Sequence, residues 1–191
     1  MGSESMISFL EKAYAEINDN IKFSEAKNGA LVTLNSAAIA IGSNIVFSGE
    51  TALVYRWLFA PFVITLILPL LFSLFSLRAT TGSERGLVKR AYELLSREKC
   101  KFKSTCTPKL MFFGYVYANI KTAENYLKKI DENCNFTPNS MEYQLASQIV
   151  DLSEVAYRKF MLFNIAIKIE MFIFAGLFLV SPVVLVWRSF L

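Results

Sequence analysis

The chain has 191 residues, of which 54% are hydrophobic and 19% charged, and its mean hydropathy is +0.39. A soluble domain carries about a quarter charged residues, so this apolar excess, gathered in long blocks, excludes an ordinary soluble globule. The absence of histidine excludes imidazole bases and His-containing metal sites, and a net charge of +4 is too small to indicate duplex nucleic-acid binding. The three cysteines form no Cys-x-x-Cys pair, which argues against a disulfide framework or a four-thiolate metal site.

Residues 1–29 are predicted to form an amphipathic cytoplasmic helix, because apolar residues recur at every third or fourth position. The recurring residues are Ile7, Leu10, Tyr14, Ile17 and Ile21. A cleaved signal peptide is rejected for this region, since its charged residues are mostly acidic and a secretory n-region is short and positive.

Three apolar stretches are predicted to cross a membrane: residues 30–47, 57–77 and 160–187. A bilayer core requires about 20 mostly apolar residues in helical form. The second stretch fits this requirement best. The first contains Thr, Asn and Ser residues, so a buried core helix is the alternative for it.

The distribution of Lys and Arg predicts the orientation of these spans. Residues 78–159 hold 14 of the 20 basic residues, whereas the link at 48–56 holds one, Arg56. The N-terminus and residues 78–159 are therefore expected in the cytoplasm, and the link and the tail at 188–191 on the external side.

The cytoplasmic segment is predicted to be helical, which makes the chain an all-α membrane protein with three spans. Helices are expected over 83–99 and 108–130. A third begins near residue 140, where Asn139 and Glu142 have capping-box spacing, and continues into the last span over about 40 residues, or roughly 60 Å. Such a rod either carries motion into the membrane or serves as a plain stalk.

Polar residues within the first and third spans are the candidates for a pore or gate. They are Thr33, Asn35, Ser36, Ser43, Asn44, Lys168 and Glu170. Small and hydroxylated residues also form packing seams between membrane helices, and Lys168 can snorkel to the headgroups. Because three spans do not enclose a conduit, a pore requires a homo-oligomer, for instance a tetramer, within the lipid bilayer.

A basic and aromatic cluster precedes the middle of the cytoplasmic segment. Its members are Lys99, Lys101, Phe102, Lys103 and Lys109. Such residues bind phosphates and stack on bases, and the alternative is a basic loop that faces lipid headgroups. No phosphate-binding Gly-rich loop, nucleophile elbow or metal motif occurs, so no enzyme activity, catalytic residue, metal or cofactor is predicted.

Three segments of the chain have a characteristic order and spacing. They are Ser24-Glu-Ala-Lys-Asn-Gly-Ala-Leu-Val-Thr-Leu-Asn-Ser36, Phe112-Phe-Gly-Tyr-Val-Tyr117 with Glu124-Asn-Tyr126, and Glu142-Tyr-Gln-Leu-Ala-Ser-Gln-Ile149 with Leu152-Ser153 and Tyr157-Arg-Lys159. Together they resemble the motifs of a known family, the small Pycsar-type transmembrane effectors of bacterial antiphage defence. The polar residues Asn35, Ser43 and Asn44 depart from the family pattern in the first span.

The resemblance implies a bacterial inner-membrane effector that impairs the membrane during infection when a nucleotide signal binds. That signal is a nucleotide second messenger or oligonucleotide made by a neighbouring cyclase or nucleotidyltransferase. Residues that match the family motifs are candidates for signal recognition or gating: Glu25, Lys27, Asn35, Gly114, Gln148, Arg158 and Lys159. Two alternatives remain: a channel held closed by a DNA or other oligonucleotide and released on its loss, as in the Hailong type, and a non-conducting scaffold that recruits a cytoplasmic partner.

Overall fold

The computed structural model describes residues 3–49, 53–77, 110–131 and 140–189. Within these ranges the chain forms five α-helices and no strand. They are α1 (Ser3–Phe47), α2 (Leu53–Leu77), α3 (Phe113–Asn119), α4 (Ala123–Ile130) and α5 (Met141–Ser189). The prediction of an all-α protein is confirmed.

Three of these helices, α1, α2 and α5, are long and apolar enough to cross a membrane. Many of their exposed side chains are large and apolar, which suits contact with lipid better than contact with water. Examples are Leu34, Ile41, Ile64, Leu68, Phe172 and Phe178. The predicted first span is the continuation of the N-terminal helix, since α1 runs without a break through both.

The long final helix is confirmed, because α5 extends over 49 residues as one helix. Its first turn is capped by Ser140, whose Oγ accepts a hydrogen bond from the backbone N–H of Tyr143 at 3.3 Å. The predicted cap at Asn139 lies outside the described residues. A hydroxyl immediately before the first turn is a preferred N-cap, which accounts for the role of Ser140.

The single helix predicted over 108–130 is wrong, because the chain breaks between α3 and α4. Ile120 and Thr122 both have extended backbones, and Thr122 caps α4 by accepting a hydrogen bond from the N–H of Asn125 at 3.3 Å. Two β-branched residues flank Lys121 here, and such residues favour an extended backbone. The helix predicted over 83–99 lies outside the described residues.

The described residues divide into two compact units, which we call the polar unit (3–24, 110–131 and 140–159) and the apolar unit (25–49, 53–77 and 160–189). Helices α1 and α5 each contribute residues to both units.

The core of the polar unit consists of buried side chains from α1, α3 and its C-cap, α4 and α5. The fully buried members include Leu10, Ile17, Val116, Ile120, Leu127 and Ile149. Leu10 and Ile17 confirm the predicted apolar face of α1, but Met6 and Ala13 complete the buried stripe, while Ile7 and Tyr14 are half-buried. The stripe is therefore rotated slightly from its predicted position.

Tyr126 is the largest fully buried side chain described in this core. Its hydroxyl donates a hydrogen bond to the backbone oxygen of Leu110 at 2.8 Å, which ties α4 to the residues preceding α3. Burial raises the pKa of the Tyr126 hydroxyl well above its usual range, and the charge of Glu16 adds to this. The phenol therefore stays neutral and keeps its donor role.

Helices α1 and α2 of the apolar unit approach each other closely at Gly42. A Cβ atom at this position would lie 2.5 Å from Cγ2 of Val63. Gly29, also in α1, has no heavy atom within 4 Å of the equivalent point. A glycine is therefore required at residue 42 by packing and not at residue 29.

The Gly42→Ala substitution is expected to destabilise the apolar unit, because the added methyl overlaps a β-branched side chain with little rotamer freedom. Overpacking of this kind costs about 1–3 kcal/mol, which corresponds to a Tm lower by roughly 2–10 °C. Gly29→Ala serves as the matched control and should leave the Tm unchanged or raise it, since alanine favours a helix. Thermal unfolding of the detergent-purified protein measures both, and equal Tm values would contradict the close packing.

Candidate functional site

The predicted pore residues of α1 lie on two different faces of the helix. Thr33, Ser36 and Asn44 are exposed, and Ser43 is half-buried. Ala37 and Ala40 are exposed on the same side. We call this exposed row of small and polar residues (Thr33, Ser36, Ala37, Ala40 and Asn44) the α1 seam.

The Thr33 hydroxyl donates a hydrogen bond to the backbone oxygen of Gly29 at 3.1 Å, which satisfies it within its own helix. The α1 seam can therefore face an apolar neighbour without leaving this donor unsatisfied. Close approach of a second helix is favoured by the small side chains of Ala37 and Ala40.

Asn35 lies on the opposite face of α1 and is fully buried in the apolar unit. Neither its amide nitrogen nor its amide oxygen has a hydrogen-bond partner among the described residues. The structure therefore separates Asn35 from the α1 seam, with which the sequence analysis grouped it.

A hydrogen bond that the sequence analysis missed joins α1 to α2. The side-chain nitrogen of Asn28 donates to Oγ of Ser76 at 2.9 Å, and both residues are buried. Ser73, one turn before Ser76, is also buried. Two features of the sequence could have indicated this contact. The serines lie one turn apart in an otherwise apolar span, and Asn28 lies two turns before Asn35 on the same face of α1.

The two charged residues of the last span occupy different environments. Lys168 is exposed, whereas Glu170 is 4% exposed and has one carboxylate oxygen without a hydrogen-bond partner among the described residues. This agrees with their separation of about 200° around the helix. Snorkelling of Lys168 stays a prediction.

Two family-motif residues lie at the start of the apolar unit. The Lys27 ammonium lies 5.8 Å from the ring centroid of Phe160 and 5.4 Å from that of Phe163, within the range of cation–π attraction. These contacts hold α1 beside α5 at this level. Glu25 is exposed.

The remaining candidate ligand residues belong to the polar unit. On α5, Gln148 is exposed, Arg158 forms an ion pair with Glu154, and Lys159 is buried in the core-facing stripe with Ala156. Tyr157, next to Arg158, stacks on Tyr117 with ring centroids 4.4 Å apart. Lys99, Lys101, Phe102, Lys103 and Lys109 lie outside the described residues, and nothing tests their predicted role.

An open pocket of about 460 Å³ lies beside α4 and is lined by Asn119, Asn125, Lys128 and Lys129. The Lys129 ammonium donates to the hydroxyl of Tyr115 at 3.3 Å. Lys128 donates to Glu124 at 2.7 Å, and this hydrogen bond, together with the Lys128 charge, lowers the pKa of the Glu124 carboxyl. Two ammonium groups and two amides against one carboxylate suit an anionic ligand.

The sequence analysis did not single out this pocket. Its signals were the Lys128–Lys129 pair and the spacing of Glu124 and Lys128, which places both on one helix face. These features resemble a solvated helix surface, and only the break before α4 brings Asn119 to the same side as Lys128.

Comparison with known proteins identifies the family. No curated protein and no solved structure matches the chain. The sequence profile described as the Pycsar effector protein domain matches residues 9–188, which is nearly the whole chain and contains α2 and almost all of α1 and α5. The chain therefore belongs to the Pycsar effector family of antiphage defence and carries its transmembrane helices.

Proposed function

We propose that this effector assembles into a homo-oligomeric pore in the bacterial inner membrane and that a nucleotide signal controls its opening. The polar unit then lies in the cytoplasm, as the distribution of Lys and Arg predicts. The effector acts by impairing the membrane and not by catalysis.

The observation that carries the pore is the α1 seam. A helix apolar enough to span a membrane exposes Thr33, Ser36 and Asn44 on one face instead of burying them. Contact of polar side chains with lipid hydrocarbon costs free energy. This face of α1 is therefore more stable against neighbouring copies of the protein or against water. Several copies that bring their seams together around one axis would enclose a polar conduit.

The ligand is proposed to bind the polar unit, where Arg158 and the pocket beside α4 supply cationic groups. Guanidinium and ammonium groups form charge-assisted hydrogen bonds with phosphate oxygens. Helix α5 carries Arg158 and continues unbroken into the last span, so a shift of this helix on binding is a direct route to the pore. A scaffold would instead recruit a cytoplasmic partner through the polar unit, and it would not conduct.

Replacing a small side chain of the α1 seam with a larger one is expected to weaken both assembly and conductance. Ala40→Phe inserts a ring where a neighbouring helix must approach closely, and overpacking costs about 1–3 kcal/mol per interface. Leu34→Phe is the matched control, because Leu34 is also exposed on α1 but lies about 120° from Ala40 around the helix.

Cross-linking in membranes and planar-bilayer recording measure the two effects. We expect the Ala40→Phe variant to lose most of the oligomer and to conduct at least about tenfold less, while Leu34→Phe resembles the parent protein. Equal oligomer yield in both variants would count against the seam. A parent protein that binds the ligand without conducting would favour the scaffold.

Removing the Arg158 charge is expected to weaken nucleotide control. With cyclic CMP and cyclic UMP as probes, Arg158→Gln should raise the half-effective concentration by about one to two orders of magnitude, through loss of a phosphate contact worth about 1.5–3 kcal/mol. Lys12→Gln removes an exposed charge of the same unit outside the proposed site and is the control. Conductance in planar bilayers is the readout, and an identical response of both variants would remove Arg158 from the site.

A further inference from the structure

Five polar side chains are buried among those that the structure describes in the apolar unit, which is unusual for a bundle of otherwise apolar helices. They are Asn28, Asn35, Ser73, Ser76 and Glu170. Asn28 and Ser76 are joined by a hydrogen bond. The other three each keep at least one buried polar atom without a hydrogen-bond partner among the described residues: both amide atoms of Asn35, Oγ of Ser73 and Oε1 of Glu170.

Two contacts fix the register of α1 against α2. Asn28 meets Ser76 near one end, and Gly42 meets Val63 near the other, so the helices are antiparallel. Counting two turns from Asn28 along α1, and two turns back from Ser76 along α2, places Asn35 opposite Pro69. Ser73 lies one turn from Pro69 on the same buried face.

Contacts of α5 bring Glu170 to this level by two independent routes. The ring centroids of Phe62 and Phe174 lie 5.6 Å apart. Leu66 follows Phe62 by one turn of α2, and Glu170 precedes Phe174 by one turn of α5, so Glu170 lies beside the buried Leu66. Pro69 is one further turn along α2. Lys27 lies against Phe163, and two turns onward from each reaches Asn35 and Glu170.

Asn35 and Glu170 therefore lie near one level of the three-helix bundle, and Ser73 lies about one turn from Asn35 toward the Asn28–Ser76 end. We call these three residues the polar layer. A buried polar group left without a partner costs about 1–3 kcal/mol, and a buried carboxylate costs more unless a positive charge accompanies it. Among the described side chains of the apolar unit, no cationic group is buried with this layer: Lys27 lies two turns away against its phenylalanine rings, and Lys168, two residues before Glu170, is exposed on another face of α5.

The atoms of the polar layer form a set of oxygen ligands. Glu170 offers a carboxylate oxygen, Asn35 an amide oxygen and Ser73 a hydroxyl oxygen. Pro69 has no N–H, so the backbone oxygen of Thr65, which points along α2 toward the buried Pro69, lacks its helical donor. Hard cations bind such oxygens, and backbone oxygens freed in broken membrane helices coordinate Na⁺.

We propose that the polar layer of Asn35, Ser73 and Glu170 is an internal binding site for a small monovalent cation of the Na⁺ type. One carboxylate balances one positive charge, which favours a monovalent over a divalent ion. The site lies inside a single copy of the apolar unit, on the face of α1 away from the α1 seam, and it does not depend on the proposed pore.

The test is thermal unfolding of the full-length detergent-purified protein in NaCl, KCl and choline chloride at equal ionic strength. We expect the Tm in NaCl to exceed that in choline chloride by roughly 5 °C, because an ion that binds only the folded state stabilises it. Glu170→Gln and Asn35→Ala should abolish the difference. Asn164→Ala, which alters an exposed asparagine of α5 in the same unit, should keep it.

Direct binding of radioactive ²²Na⁺ to the purified parent protein is the second measurement, and it does not require any variant to fold. Saturable binding that excess NaCl displaces and excess choline chloride does not would support the site. Equal Tm values in the three salts together with no saturable binding would overturn it. A Glu170→Gln variant that is more stable than the parent in every salt, with no salt dependence in the parent, would also overturn it, since the carboxyl would then be buried in a neutral form.

Discussion

The interaction on which the rest of the apolar unit depends is the hydrogen bond between Asn28 and Ser76. In a bundle of apolar helices, leucine and phenylalanine side chains pack in several registers at similar free energy, because dispersion contacts are not directional. A buried amide without a partner costs about 1–3 kcal/mol, so pairing Asn28 with Ser76 selects one register. The close approach at Gly42 is compatible with that register and excludes a larger residue there.

This register explains why the polar residues of α1 separate into two groups. Once Asn28 faces α2, Asn35 must follow it two turns later, because both lie on the same helix face. The hydroxylated and small residues of the α1 seam are then directed away from the bundle. One face of α1 thus provides the internal polar layer, and the other provides the surface for which we propose assembly.

Much of the fold was predictable because its signals are local. Apolar blocks of span length predicted α2, and the absence of Gly and Pro from Ser140 to Gly176 predicted the continuous α5. The break at Ile120–Thr122 was not predictable from apolar periodicity, since Val116, Ile120 and Leu127 keep helical spacing on both sides of it. The extended residues are stabilised by the Thr122 cap and by the bond from Tyr126 to Leu110, and the latter spans 16 residues.

By itself, the amino-acid sequence determined the helical class, the three apolar helices and the family, because composition and motif order do not depend on how helices meet. Only the tertiary structure decided which polar residues share an environment. Lys168 and Glu170 are two positions apart, and Thr33 and Asn35 likewise, yet one member of each pair is exposed and the other buried. The physical reason is that helical spacing sets the angle between two side chains, whereas the neighbouring helix sets which angle faces the core.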